Sequence, residues 1–431
     1  MAVLFRDFYY IDAEMGRAAR GDLLVEGGRI ARLGKDLPGP SGGETVRGDG
    51  KGLLVPGFVN GHTHAAMVLL RGLGEELPVM EWLQERIWPV EAGLLPEHIY
   101  WGTRGAVMEM ASTGTTCFCD MYFEMDEVAR AASERGMRCC LSRGLTGDDP
   151  AKVREGAELF RRWHGRDHVT VQLGPHAPYT VSLEAMKGIT ALAEEIGAGV
   201  HFHFLEAEWE PSFIRDKYGL SPLAYLEEAG LQGSCPAILA HCVWFPPFEI
   251  PGLAGTAATV AHNPSSNMKL GSGHAPAQAF LDGGVPLSLG TDGAASNNRL
   301  DVWEEMRLCA LLHKGALKDP TVMAARDVFR MATLSGAASA GFSDVGLLRE
   351  GWQADLVMID LDRPHYIGWD RENIVDFLVY AGSSSDILGT MCAGKWLYRD
   401  GEFPGQDYDA VMGEVIRCRE DLLRRAARRQ P

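Results

Sequence analysis

Eight short apolar segments, each closing on a polar group, alternate with helix-like stretches through the middle of this 431-residue chain. No other feature limits the fold as tightly. The segments are 53–61, 115–119, 138–142, 169–173, 199–202, 237–240, 258–261 and 285–291. They close on His62-Thr63-His64, Asp120, Arg143, His176, His203, His241, His262-Asn263 and Asp292. Each is apolar or β-branched, the composition of strands that are buried on both faces. Between them, 97–113, 127–136, 151–164, 182–197, 221–229, 276–284 and 300–317 carry apolar residues at helical spacing. Ser221-Pro222 is a capping serine followed by a first-turn proline, and Gly114, Gly136, Gly197, Gly230 and Gly283 are stop signals. This alternation predicts a (β/α)8 barrel of the TIM type, in which chemistry gathers at the C-terminal ends of the strands. The sixth crossover, 244–255, holds Pro246, Pro247 and Pro251 and has little room for a regular helix.

The ends of the chain read differently. Residues 1–54 and 346–431 show alternating short strands with glycine turns, as in Asp22-Leu23-Leu24-Val25-Glu26 followed by Gly27-Gly28. They are expected to form a small composite β-sandwich domain with a C-terminal helix over 408–429, leaving 55–345 as the catalytic barrel. The run Arg424, Arg425, Arg428, Arg429 reads as a solvated face of that helix.

Composition narrows the function. A formal net charge of −17 argues against nucleic acid as a partner, since phosphate binding needs a basic surface. No apolar run approaches the roughly 20 residues that span a bilayer, so no membrane partner is expected. Residues 1–21 lack the basic-then-apolar order of a secretory signal. The nine cysteines are odd in number and contain no C-x-x-C, which fits reduced thiols in a cytoplasmic protein.

The strand ends suggest a metal. In a strand, residues i and i+2 face one side, so His62 and His64 can approach one ion together. His203 would supply a third nitrogen and Asp292 a carboxylate oxygen. Three imidazoles, one carboxylate and an open position suit one divalent ion, zinc or ferrous iron. Such an ion lowers the pKa of water. Glu206, three residues beyond His203, is the candidate general acid/base. His241, one strand further round, would orient the attacking water together with Asp292.

Pro56-Gly57-Phe58-Val59-Asn60-Gly61-His62-Thr63-His64 resembles the opening signature of the amidohydrolase superfamily. Met80-Glu81-Trp82-Leu83, Ser142-Arg143-Gly144, Gly174-Pro175-His176, Asn263-Pro264-Ser265-Ser266-Asn267 and the run Gly290 to Asn298 resemble the 5-methylthioadenosine/S-adenosylhomocysteine deaminases. The likeness implies hydrolytic deamination of a 6-aminopurine nucleoside, a small-molecule substrate. It further implies that Glu91 binds the ribose hydroxyls, His176 contacts the nucleoside, Trp82 lies against it, and Arg143 faces the 5′ substituent. Glu206 and Asp292 would also touch the substrate. Segment 65–94 would form a wall or lid. Two-metal relatives bridge their ions through a lysine on the fourth strand. None occurs around Leu173-Gly174-Pro175-His176, so one ion is expected.

Two departures from the resemblance bear on specificity. Some relatives carry a second arginine twelve residues beyond Arg143, where this chain has Glu155, which weakens the case for S-adenosylhomocysteine. Trp244 stands where a histidine is common. The competing reading keeps the machinery and changes the substrate to a free heterocycle such as guanine, an oxidised purine, a pterin or a triazine. A third reading is a non-catalytic binding protein. Oligomeric state is left open, a homo-oligomer included.

Overall fold

The computed structural model describes residues 2–11 and 15–429. Its strands are β1 (Val3–Ile11), β2 (Ala18–Glu26), β3 (Arg29–Gly34), β4 (Glu44–Arg47), β5 (Gly52–Pro56), β6 (Phe58–Thr63), β7 (Thr115–Tyr122), β8 (Arg138–Leu145), β9 (Val169–Pro175), β10 (Val200–Phe204), β11 (Ala237–His241), β12 (Ala258–His262), β13 (Leu287–Leu289), β14 (Leu356–Asp360), β15 (Ile387–Cys392) and β16 (Lys395–Arg399). Strands β6 to β13 form one sheet in which every neighbour is consecutive and parallel. That is the eight-stranded barrel the alternation predicts.

The barrel closes through one backbone bond and an Asn60 side-chain bridge rather than a regular ladder. Asp292 N–H donates to the His62 carbonyl at 2.9 Å. The Asn60 amide bridges to Thr291, accepting from its N–H at 3.0 Å and donating to its hydroxyl at 2.7 Å. Gly290 permits this approach, because a Cβ there would lie 2.3 Å from Asn263 Oδ1 and 2.8 Å from His62 N. Any side chain at 290 would push the eighth strand off the first.

The crossover helices follow the sequence signals. Asp149, Ser182, Ser221 and Asp301 each accept a hydrogen bond from a first-turn N–H. Gly136 and Gly197 end their helices in the left-handed conformation. The sixth crossover is a short 3-10 turn, Pro247–Leu253, as its prolines require. Several short helices went unread, among them Pro264–Lys269, Ala325–Arg330, Ile374–Tyr380 and Glu210–Tyr218, in the last of which charged residues and a proline hid a weak apolar periodicity.

The terminal strands form a second sheet in the order β16-β15-β14-β5-β1-β2-β3, with β4 beside β1. It is one continuous mixed sheet folded over a core that includes Phe5, Val25, Ile30, Met358 and Met391. The two ends of the strand order meet, with Gly28 packed against Ala393 and Gly394. The apolar run into His62 is two strands, not one. Val55 and Pro56 pair with β14, and the chain changes sheets at Gly57. Across the junction Arg138 pairs with Asp355 through two bonds of 2.7 and 3.1 Å, both side chains buried. Removing one partner of such a pair costs about 3–5 kcal/mol.

The C-terminal helix Tyr408–Ala427 lies against the barrel helix Pro96–Ser112. Its arginines are not all solvated, a correction to the sequence reading. Arg425 donates to the Gly93 carbonyl at 3.0 Å and Arg429 to that of Ala92. The helix thus braces the end of segment 65–94. Among the described residues, no helix is long and apolar enough to cross a membrane.

Candidate metal centre and substrate pocket

His62 and His64 leave β6 on the same side, and both aim Nε2 at Asp292 Oδ1, at 3.5 and 3.1 Å. His203 joins from β10, its Nε2 lying 3.3 Å from that of His64. The second nitrogens are fixed from behind. His64 Nδ1 donates to the Met121 carbonyl at 2.5 Å and His203 Nδ1 to the His176 carbonyl at 2.9 Å. Both Nε2 atoms therefore carry lone pairs that face one point. His62 Nδ1 meets His201 Nε2 at 2.8 Å, and its own Nε2 is buried without a hydrogen-bond partner. Asp292 Oδ2 accepts from the hydroxyls of Ser266 and Ser296 at 2.6 and 2.7 Å, which turns Oδ1 inward.

This donor set fits a divalent ion. Ligands at about 2.1 Å around a tetrahedral centre lie about 3.4 Å apart, and more closely in a higher coordination number. The separations of 3.1, 3.3 and 3.5 Å match that spacing. Lone pairs converging at such distances repel unless a cation sits between them. The electrostatics agree. Burial pushes His62 down to about 3 and His203 well below its ordinary range, leaving both neutral and able to ligate. Burial opposes charge on His64 as well, but Asp292 outweighs it and lifts the imidazole to about 9. With only protons available, the cluster draws positive charge onto His64, beside Asp292.

Glu206 and His241 stand beside this cluster. Glu206 is 7 % exposed, and burial raises its carboxyl above the ordinary range. Its Oε2 lies 3.8 Å from His241 Nε2. His241 Nδ1 meets Asn267 Oδ1 at 2.8 Å, so its Nε2 is directed into the site. Leu205, His241, Cys242 and Asp292 all adopt positive φ, between 47° and 76°. Each costs about 1–2 kcal/mol relative to ordinary backbone. The barrel's hydrogen bonds hold them there.

A cavity of about 610 Å³ opens from the cluster, and it is lined by His64, His203, His241, Asp292 and Glu206 at the metal end and by Trp82, Glu91, Arg143 and His176 elsewhere. All the residues named for the substrate thus share one pocket with the candidate ligands. Glu91 accepts a hydrogen bond from Tyr122 Oη at 2.6 Å. Burial raises the Glu91 carboxyl, and the Tyr122 phenol is pushed up by burial and by Glu91. Trp82 is buried and donates through Nε1 to the Leu73 carbonyl at 3.1 Å, which leaves its ring as pocket wall. His176 Nδ1 meets Thr180 Oγ1 at 2.9 Å, and burial holds its pKa down to about 4, so the ring is neutral. Arg143 is paired: Nε and Nη2 each lie 2.9 Å from Glu155 Oε2.

Two strand ends stay outside the pocket. Asp120 accepts from Ala65 N–H at 2.6 Å and anchors the start of segment 65–94. His262 meets His313 at 3.0 Å. Several participants escaped the sequence reading. Tyr122 and His201 had a signal, being two residues from Asp120 and from His203 on the same strand faces. Ser266, Ser296 and Asn267 had none beyond lying in the segments 263–267 and 290–298.

A sequence model of the amidohydrolase family matches residues 53–397. A 5′-deoxyadenosine deaminase of Methanothermobacter thermautotrophicus is 44% identical over 406 residues, 93% of this chain and 94% of the relative. A 5-methylthioadenosine/S-adenosylhomocysteine deaminase of Pelotomaculum thermopropionicum is 43% identical over 402 residues, 92% of each chain. Among solved structures, an adenosine deaminase of Xanthomonas campestris with bound zinc superposes with a TM-score of 0.92 at 32% identity, covering 98% of both chains.

Proposed function

The chain belongs to the amidohydrolase family, and on that premise we propose that it deaminates a 6-aminopurine nucleoside by hydrolysis, to the 6-oxo product and ammonia. One observation carries the reading. The pocket that contains the converging histidines, Asp292 and Glu206 also contains a half-buried carboxylate, Glu91, oriented by Tyr122. The first group suits attack by water on an electron-poor ring carbon. The second suits the diol of a ribose. The names of the relatives, deaminases of 5′-deoxyadenosine and of 5-methylthioadenosine or S-adenosylhomocysteine, support the same class.

His62, His64, His203 and Asp292 would hold one divalent ion, for which zinc is our choice. When bound, the ion supplies Lewis acidity that brings the pKa of water toward neutrality. Glu206 takes a proton from the attacking water and delivers it to the ring nitrogen next to C6. Its burial keeps that proton affinity higher than an exposed carboxylate allows. Asn267 Oδ1 holds the His241 proton on Nδ1, which leaves Nε2 to accept a hydrogen bond from the attacking water and orient it. A second transfer through Glu206, from the newly added hydroxyl to the amino group, breaks the C6–N bond, leaves the 6-oxo group and releases ammonia. His176, Trp82 and the lid segment shield the base from bulk water.

The 5′ end of the substrate faces Arg143, whose charge is already matched by Glu155. A neutral 5′ group therefore suits this pocket better than an amino-acid side arm, and 5′-methylthioadenosine, 5′-deoxyadenosine and adenosine are the favoured substrates. All nine cysteines are free and buried, which supports a reducing, cytoplasmic setting. The test is ammonia release across adenosine, 5′-deoxyadenosine, 5′-methylthioadenosine, S-adenosylhomocysteine, adenine and guanine. The nucleosides should be turned over and the free bases far more slowly. A site that hydrogen-bonds a hydroxyl rejects analogues lacking it by large factors. Adenine or guanine matching the nucleosides would refute the nucleoside assignment.

A further inference from the structure

We infer that Glu210 is a positioning residue, one that locks the backbone on both sides of Glu206 and thereby sets where the proton-carrying carboxylate stands. The inference rests on the acid/base role proposed for Glu206.

β10 ends at Phe204, and the chain turns sharply at Leu205, with φ of 54°. Glu206 follows at once, so the placement of its Cα depends on a backbone that an L-residue does not adopt by preference. Glu210 sits four residues on, in the first turn of the helix Glu210–Tyr218, and is 2 % exposed. Its two carboxylate oxygens straddle the catalytic position. Oε2 accepts from Leu205 N–H at 3.0 Å and Oε1 from Ala207 N–H at 2.9 Å. The Leu205 carbonyl accepts from Trp244 N–H at 3.0 Å, and Glu210 N–H donates to the Ala207 carbonyl at 3.0 Å.

Two peptide planes meet at Glu206. The one before it is held through the Leu205 oxygen, by the strand-end segment that also carries His241. The one after it is held through the Ala207 nitrogen, by Glu210. With both planes held, φ and ψ at Glu206 are restrained, and its side-chain torsions are the main remaining freedom. A carboxylate is the side chain that accepts from two separate N–H groups at once and donates to neither. Glutamine has the same shape but one oxygen. Its amide N–H would face a backbone N–H, and one arm of the clamp would become repulsive.

Glu210→Gln tests this. Misplacing a catalytic group by about 1 Å costs up to about 10²-fold in rate. The expected result is a kcat about 10–10²-fold lower, with KM within about twofold and metal content unchanged. Backbone hydrogen exchange at Leu205 and Ala207 should accelerate. In a Glu206→Gln background the same change should alter the residual kcat by less than about twofold, since a residue acting only through Glu206 has nothing left to position. Overturning results are a kcat near wild type in Glu210→Gln, an equal loss in both backgrounds, or lost metal. If Glu206→Gln itself keeps normal turnover, the acid/base reading falls and the positioning role with it. If Glu206→Gln is inactive while Glu210→Gln is normal, only the positioning role falls. Should Glu210→Gln not fold, Glu210→Asp carries the same comparison, keeping the charge while being one methylene too short to bridge both N–H groups.

Discussion

Glu155→Gln should turn the pocket toward substrates with a charged 5′ arm. In the structure Arg143 gives Nε and Nη2 to a single oxygen of Glu155, each at 2.9 Å. The Arg143 side chain is 20% exposed and that of Glu155 55%. A pair this exposed contributes about 0.2–1 kcal/mol to stability, so the variant should fold normally. Its effect on recognition is larger. A charge-assisted hydrogen bond from a freed guanidinium to a substrate carboxylate contributes about 1.5–3 kcal/mol when buried, and about 1 kcal/mol at this exposure. Removing the Glu155 charge, at about 6 Å from such a carboxylate and at an effective dielectric constant of about 60, relieves about 0.9 kcal/mol of repulsion. Together these give about 1–2 kcal/mol, or about 5–30-fold in the ratio of kcat/KM for S-adenosylhomocysteine to that for 5′-methylthioadenosine. The assay is ammonia release for both substrates at low ionic strength. The gain should shrink as salt is raised, because the groups are solvent-exposed. A ratio that stays within about twofold of wild type, or a rise shared equally by both substrates, refutes the reasoning.

Glu206→Gln should lower kcat by about 10²–10⁴-fold with metal content unchanged, as read by steady-state kinetics and elemental analysis. His64→Ala or Asp292→Ala should reduce both turnover and metal from about one ion per chain, and two ions in the active protein would overturn the single-site reading. Glu91→Ala should damage nucleoside turnover while sparing adenine, and Tyr122→Phe should weaken nucleoside kcat/KM by about fivefold, one hydrogen bond's worth. Stability should respond to pH through Glu305, which burial raises to about 7 against an ordinary 4.5. Between those values the folded protein holds a proton the unfolded chain has released, so this group's contribution falls as pH rises through the window. Urea unfolding at a series of pH values should show Glu305→Gln gaining stability over wild type from pH 4.5 to 7; parallel curves would refute it.

Periodicity is a property of neighbouring residues, and what depends on neighbours was legible. The eight strands, most helices and their caps lie where alternation, Ser-Pro starts and glycine stops put them. The pairing of His62 with His64 follows from strand parity alone. The general position of Glu206 was legible from its closeness in sequence to the strand end at His203. The sheet change at Gly57 was hidden because two buried strands in succession read as one apolar run. The helix Glu210–Tyr218 was hidden because Glu210, a charged residue, takes a buried position as a backbone acceptor and only Ile214 beside it is a buried apolar residue.

What the tertiary structure decided is which distant groups meet and what each is tied to. His203 reaches His64 across 139 positions of sequence, and Asp292 closes on both histidines of β6 only because the eighth strand returns to the first. Sequence could propose the four ligands as a set. It could not say that Ser266 and Ser296 turn Asp292 inward, that Tyr122 holds Glu91, or that Arg143 is spent on Glu155. The same arginine reads as a free carboxylate receptor or as a matched charge according to whether residue 155 faces it. That depends on how the helix Pro150–Trp163 packs against β8 and β9. Local periodicity selects the elements. Side-chain partners are selected by packing, because hydrogen bonds and ion pairs act over a few ångströms in space, whatever the separation along the chain.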